Sequence, residues 1–454
     1  MSHQGFDKTF KEFKEDFYSK IGDGSCLNVL DINLLKVVLD GLKVQYNKRG
    51  EIVNHFSRST FVVKCYFLIK ILLDTKKRVR VKKKISSIST NTTLIGFSNR
   101  YISQNGIKVP IYYQKIFIEL GRDKFCYITD SHEVFSDLSI KEFAFGFNIF
   151  SKQNWLLFKE LRIKLKADSF VKLWTEDELE NINISSFLFF INFVKWDYVL
   201  KHNKFKKALL TCHYHNEAFI LACKRHNIEV NELQHGLISV ADIFYVFPQQ
   251  VKSIIKKALF PDLVYVYGEF WKDVLLNGCE YSEEQIKVLG YYQFESNIKS
   301  DILIDEKDKK IILITTQYSA DEHFIKFIKG LSLKLTNNWI VIVKTHPQEK
   351  MELYLGLENE CSNVKVVNED LDTLICKSEF LVTIFSTTIF DALRLNRHSF
   401  SLNIPLYEDY VKNLVEIGAS NLLEIDENPT EILNSLKDKK DIAKFYSIFS
   451  KSII

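Results

Sequence analysis

The sequence predicts an α/β protein built as two Rossmann-like domains facing a central cleft. Three observations carry that prediction. At 454 residues the chain is long enough for two or three domains, each burying a core of its own. Between residues 208 and 403, short apolar runs alternate with stretches of helical spacing, the pattern of strand–helix–strand units in parallel sheets. Several of the runs end abruptly in polar clusters, and the carboxyl ends of strands are where open α/β sheets hold ligands.

Composition narrows the class. Hydrophobic residues make up 46% and charged residues 26%, and 36 Phe and 20 Tyr beside only 6 Pro and 16 Gly imply dense aromatic packing, not disorder. A net charge of +4 is too small to imply a nucleic-acid partner. The eight cysteines are scattered and form no CxxC, so neither zinc ligation nor a disulfide framework is expected. The first twenty residues are amphipathic and charged, and no apolar window reaches the roughly 20 residues that span a bilayer. A cytosolic protein without a transmembrane helix is the expectation.

Residues 1–90 read as helical, from Phe6, Phe10, Phe13 and Phe17 and again from Leu34, Leu35, Val38, Leu39 and Leu42. The run KKRVRVKKK, from Lys76 to Lys84, reads either as a solvated edge or as a patch for anionic lipid headgroups on the cytoplasmic face of an inner membrane, or for an acidic glycan. Within 91–200, apolar runs such as 115–120 and 187–193 place elements only loosely. A buried strand at 208–212, a polar turn, a helix over 217–226 and a strand over 228–233 then form a strand–helix–strand unit with a right-handed crossover. Two polar clusters fall on one edge: His213-Tyr214-His215-Asn216-Glu217 and Gln234-His235-Gly236. Gly236 permits a sharp turn that lets the His235 imidazole project into a cleft, and histidine suits proton transfer near neutral pH. His213, His215, Glu217 and Gln234 are acceptor-side candidates.

Residues 242–261 carry Pro248 and Pro261 and read as the crossing between a first domain, 1–250, and a second, 251–425. A strand at 263–267, a helix at 269–276 and a strand at 286–289 bridge the halves. Strands are expected at 310–315, 340–344, 364–367, 380–384 and 399–403, with helices over 321–335 and 387–395. The tail, 426–454, reads as a helix packing back on the first domain. Three strand exits carry chemistry. Thr316 and Gln317 suit hydrogen bonds to a base or sugar; Lys344, His346 and Pro347 close a strand with positive charge. Ser386, Thr387 and Thr388 open a helix, where hydroxyls serve either as caps or, facing a lysine and a histidine, as an anion site. Asp391, one turn on, suits ribose hydroxyls or a solvated helix face.

A QHG after a strand–helix–strand unit, a K-T-H-P at a strand end and an S-T-T opening a helix together resemble glycosyltransferases of the GT-B architecture that build bacterial surface polysaccharides. The nearest groups are the HP-motif sialyltransferases and Kdo transferases, with the CDP-glycerol glycerophosphotransferases also similar; the resemblance covers about residues 205–425. It implies that His346, Pro347, Ser386 and Thr387 contact the donor's phosphate and that His235 is the base. The sialyltransferases' acidic base in an acid-rich Gly motif has no counterpart before the QHG, which leaves the sugar open. The expected activity is transfer from a nucleotide-sugar donor, CMP- or CDP-linked, to a lipid-linked or oligosaccharide acceptor of capsule, O-antigen or lipooligosaccharide, without metal or further cofactor. Lys344, His346 and the Ser386–Thr388 segment would neutralise charge on the leaving phosphate. Alternatives are polyol-phosphate transfer from a CDP-linked donor, nucleotide-sugar epimerisation, and a non-enzymatic glycan-binding role.

Overall fold

A computed structural model of the chain describes residues 10–29, 32–46, 93–95, 101–104, 107–113, 116, 125–129, 140–141, 152–201, 205–240, 242–252, 259–278, 281–291, 309–317, 320–346, 349–405, 407–433, 436 and 444–447. The basic run from Lys76 to Lys84 and Pro347 lie outside them. The chain forms two compact units, one dominated by residues 16–238 and 243–294, the other by 295–446 with 1–15 and 239–242.

The described chain begins with α1 (Phe10–Ile21), which belongs to the N-terminal unit from Asp16 on, followed in that unit by a short antiparallel pair β1 (Asn28–Val29) and β2 (Ile32–Asn33) and by α2 (Leu35–Tyr46). These are the helices that the Phe and Leu spacing predicts, with Phe17, Leu35, Val38 and Leu39 buried. β3 (Thr93–Ile95), a hairpin of β4 (Tyr101–Gln104) and β5 (Ile107–Pro110), β6 (Phe125–Thr129) and β7 (Ile140–Lys141) follow. Then come α3 (Lys152–Lys166), α4 (Asp168–Val171) and α5 (Glu176–Leu200), 25 residues long. A capping box starts α5: Glu178 N donates to Thr175 Oγ1 at 3.3 Å while Thr175 N donates to Glu178 Oε2 at 2.8 Å. Strand β8 (Lys207–Leu210), α6 (Glu217–Arg225), β9 (Glu229–Leu233), α7 (Gln249–Lys252), β10 (Leu263–Val266), α8 (Glu269–Gly278) and β11 (Ile286–Val288) complete the unit.

Among the described residues its main sheet has seven strands, all parallel, in the order β7-β6-β3-β8-β9-β10-β11. This moves the domain boundary. The sequence reading ends the first domain at residue 250, yet β10 pairs with β9 and β11 with β10, so both belong to the first sheet. Residues 243–247 stay with it too. Phe247 N donates to Gly278 O at 2.9 Å, and a Cβ on Gly278 would lie 2.6 Å from a Val246 methyl, so a side chain there would force Val246 to shift. The prolines at 248 and 261 therefore punctuate a loop inside the unit, and the change of sheet falls between 288 and 310.

The C-terminal unit runs β12 (Lys310–Thr315), α9 (Asp321–Lys334), β13 (Trp339–Lys344), α10 (Glu352–Glu360), β14 (Val364–Val367), α11 (Leu371–Lys377), β15 (Phe380–Thr383), α12 (Thr388–Arg394), β16 (His398–Leu402), α13 (Glu408–Glu416), β17 (Asn421–Leu423) and α14 (Pro429–Leu433). Six parallel strands stand in the order β14-β13-β12-β15-β16-β17, which in chain order is 3-2-1-4-5-6, the doubly wound arrangement. Alternate residues of the central strands serve opposite faces. Ile312, Ile314, Val341, Val343 and Val382 join Phe324, Phe327, Tyr354 and Leu357 of α9 and α10 in one core, while α11 and α12 contact each other and the opposite side of the central strands. Of the expected tail helix, only Pro429–Leu433 is helical among the described residues; 444–445 form a turn, and Ser447 N donates to Tyr267 O at 2.8 Å. Among the described residues no helix is long and apolar enough to cross a membrane.

Candidate functional site

In a sheet of order 3-2-1-4-5-6 the crevice opens where strand order reverses, here between β12 and β15. Thr315, Thr316 and Gln317 leave β12 at that point. Thr383 Oγ1 donates to Thr315 O at 2.9 Å, Thr315 and Thr388 hydroxyls meet at 2.9 Å, and Phe385 N donates to Gln317 Oε1 at 3.1 Å. The exits of β12 and β15 are thus stitched together by hydroxyls and one amide. Gln317, Phe385, Ser386, Thr387 and Thr388 all stay partly exposed.

The neighbouring strand, β13, delivers Lys344, Thr345 and His346, each partly exposed. Strand registry pairs Lys344 with Thr315, so their side chains share a face of the sheet. Burial pulls the Lys344 ammonium below the usual lysine range, against Asp370 and Glu369, which favour its charge. The backbone of His346 is held from both sides: its N–H donates to Thr316 Oγ1 at 3.0 Å and to Glu349 Oε2 at 3.1 Å. Glu349 also accepts from the Thr316 hydroxyl and, at 2.9 Å, from Tyr354 O–H. Burial first, and Glu349 second, push the Tyr354 phenol well above its usual range. Glu349 and Tyr354 are missed by the sequence reading. The signal was present, since Glu349 stands three residues after His346, the spacing at which a carboxylate reaches back to a turn's N–H.

The hydroxyl segment differs from its prediction in detail. The capping hydroxyl belongs to Ser386, whose Oγ accepts from Thr388 N at 3.3 Å, and Thr387 makes no side-chain cap. Helix α12 has seven residues, so its dipole is small. Asp391 lies 3.9 Å from Arg394, which pairs at 2.8 Å with Asp372 of α11. That network ties α12 to α11 and gives Asp391 a structural occupation.

In the N-terminal unit the polar residues after β8 and β9 go inward. His213 is fully buried: Nδ1 meets Glu232 Oε2 at 2.6 Å and Nε2 meets Phe244 O at 2.9 Å, so both nitrogens face oxygens. Glu232 also accepts from His213 N at 3.2 Å and Tyr245 O–H at 2.6 Å. Burial pushes the Glu232 carboxyl up, but His213 and Tyr245 outweigh it and hold the group below its ordinary range. Glu217 pairs at 3.4 Å with Lys36 of α2, whose ammonium is also fully buried and reaches Leu259 O at 3.1 Å and the Phe260 ring face at 4.7 Å. Gln234 spends its amide on the backbone, with Nε2 donating to Gly236 O at 3.0 Å and Oε1 accepting from Tyr267 N at 2.8 Å. His213, Glu217 and Gln234 are thus buried and make these contacts inside the protein.

His235 and His215 are the candidates that stay accessible. His235 is partly exposed, with Tyr112 edge-on at 5.9 Å and Tyr214 Oη 3.4 Å from its Nε2. Tyr214 stacks on buried Phe244 at 4.8 Å, which fixes the phenol beside the imidazole. His215 is exposed and holds a left-handed backbone, φ 65. Lys36 and Glu232 were not singled out from sequence. Glu232 was findable, as an acid set inside the buried part of a strand, next to Leu233.

No protein-family model matches the chain, and no curated protein matches it in sequence. Among solved structures it is similar to a UDP-GlcNAc 2-epimerase of Methanocaldococcus jannaschii in complex with UDP-GlcNAc and UDP, at 14% identity over 74% of this chain and 92% of that one, TM-score 0.44. It is similar to CalG4, the calicheamicin glycosyltransferase, at 12% identity over 76% and 88%, TM-score 0.42. MurG of Acinetobacter baumannii is a third, at 12% identity over 72% and 84%, TM-score 0.37.

Proposed function

We propose that this chain is a GT-B glycosyltransferase that takes a sugar from a nucleotide-activated donor and transfers it to a growing bacterial surface glycan. The observation that carries the reading is the switch point of the C-terminal sheet, where buried Thr315 and Thr316 tie the β12 exit to Thr388 and His346, and Gln317, Lys344–His346 and Ser386–Thr388 stay partly exposed. In the proposed reaction the acceptor hydroxyl oxygen attacks the anomeric carbon, the bond from that carbon to the donor phosphate breaks, and the phosphate leaves with the electron pair. Lys344 and His346 stabilise that charge, with Ser386 and Thr387 as further donors. His235 takes the proton of the acceptor hydroxyl, its ring oriented by Tyr214 and Tyr112. Thr316 is committed to the His346 turn, so Gln317 is the better candidate for contact with the base or ribose.

A melting-temperature panel of CMP, CDP, UDP, GDP and their sugars tests the donor site. The matching nucleotide at a hundredfold excess over its Kd should raise the melting temperature by about 5–10 °C. His346→Ala should lose that shift while the free protein melts as before. A panel in which no nucleotide stabilises the protein, or in which His346→Ala responds as wild type does, refutes the reading. His235→Ala should keep the nucleotide shift and lose roughly 10²- to 10⁴-fold in turnover. Conversion of the donor sugar with no acceptor present would mark an epimerase instead, and a phosphodiester product a polyol-phosphate transferase.

A further inference from the structure

Singly exposed apolar side chains are ordinary on a protein surface, and clusters are not. Among the described residues, four of the nine large hydrophobic side chains that are exposed lie within 152–172: Trp155 at 54%, Leu156 at 49%, Ile163 at 54% and Val171 at 36%. Helix α3 explains three of them. Its inner side is Asn154, Leu157, Leu161 and Leu165, all buried. At 100° per residue Trp155, Leu156 and Ile163 fall on the opposite side, interleaved with exposed Lys152, Lys159 and Lys166, which recur every seven residues and so form a line along the helix. Arg162 stands beside them, over the Phe158 ring at 5.7 Å. Between 152 and 172 there are six Lys or Arg against two acids, Glu160 and Asp168.

We propose that this outer face of α3 docks the protein on an anionic lipid bilayer. Tryptophan, leucine and isoleucine entering the headgroup layer, with lysine stems lying along the surface and their ammonium groups on lipid phosphates, is the chemistry of an interfacial helix face. A purely anionic ligand would match the cations and leave the apolar residues wet; a second copy of this chain would set the lysines against one another. The bilayer satisfies both sets. This inference does not rest on the transferase reading, and its test has no activity readout.

Vesicles of phosphatidylglycerol and phosphatidylcholine, or of phosphatidylcholine alone, give that test with the full chain. Wild type should sediment with the anionic vesicles and not with the neutral ones, and 0.5 M salt should release it. Leu156→Glu with Ile163→Glu should cut partitioning at least tenfold without changing the melting temperature, because both positions are exposed. Each of Lys152→Gln, Lys159→Gln and Lys166→Gln should cost about fivefold. The other four tryptophans, at 174, 196, 271 and 339, are at most 9% exposed, so brominated lipid should quench wild type and spare Trp155→Phe. Failure of wild type to bind anionic vesicles overturns the proposal. So does unchanged binding of Leu156→Glu/Ile163→Glu, loss of binding on neutralising only the run from Lys76 to Lys84, or a wild-type dimer that the double variant dissolves.

Discussion

The two sheets share a strand order and use their strand exits in opposite ways. In chain order the first is 3-2-1-4-5-6-7 and the second 3-2-1-4-5-6, both all parallel. After β8 and β9 the ionisable groups His213, Glu232, Lys36 and Glu217 are at most 4% exposed and pair with one another. After β12, β13 and β15 Thr316 is buried, while Gln317, Thr345, His346 and Ser386–Thr388 stay partly exposed, and hydroxyl and backbone contacts hold the segments together. Topology supplies a crevice in each unit; the residues at its lip decide whether it is filled by the protein's own charges or left for a ligand. Of the candidates named after β8 and β9, His235 stays partly exposed and His215 exposed.

The largest test removes one member of the filled side. Glu232→Gln leaves the His213 ring without its carboxylate, and breaking a buried pair from one side costs about 3–5 kcal/mol, read in urea unfolding. The pH dependence follows from the direction of the Glu232 shift. Its folded pKa lies below the unfolded value, so its stabilisation is present above about pH 4.3 and is lost as pH falls through the folded pKa. The gap between wild type and Glu232→Gln should therefore narrow in acid. A small, pH-independent loss would mean that the first crevice is not locked by this pair.

A middle-sized effect is expected at Glu349. Its carboxylate accepts from Thr316, from His346 N and from Tyr354 O–H, so Glu349→Gln turns an NH₂ toward donors and costs about 1–3 kcal/mol. If the open crevice depends on this turn, the variant should also weaken nucleotide binding. Unaltered binding at lowered stability would separate the turn from the site.

How much of this was legible follows the same division. Five of the six strands of the C-terminal unit were readable because most are short apolar runs with a polar end: the expected 310–315 and 364–367 match β12 and β14, the ends of β13, β15 and β16 fall within one residue, and the three-residue β17 was not expected. The site candidates were readable for the same reason, as polar residues at ends of apolar runs. Whether such a residue points outward was not. His213 and His346 both follow buried strands, and what separates them is Glu232 from another strand and Lys36 from a helix 177 residues away, long-range partners that no local pattern encodes. Helix α5 was lost because its Phe- and Ile-rich stretch at 187–193 resembles a strand; Thr175 and Glu178, the capping box, were the available signal. The domain boundary slipped because prolines mark loops inside a unit as readily as loops between units.

The smallest effect separates stability from function most sharply. Burial lowers the Lys344 pKa, so between its folded and unfolded values the unfolded chain binds more protons and stability rises with pH. At neutral pH the charged lysine is a mild burden on the free protein. Lys344→Met should then melt about 1–2 °C higher than wild type at pH 7, since such replacements outside the core change stability by about 0.5 kcal/mol. The difference should shrink in alkali, where the wild-type lysine sheds its proton below the usual lysine range. The same variant should lose the nucleotide-induced rise in melting temperature, because the partly buried charge that burdens the free protein is the one a donor phosphate would neutralise. A Lys344→Met protein that is less stable at pH 7, with the nucleotide response intact, would return Lys344 to the same class as Lys36: a charge held for the fold, with Asp370 and Glu369 as its partners.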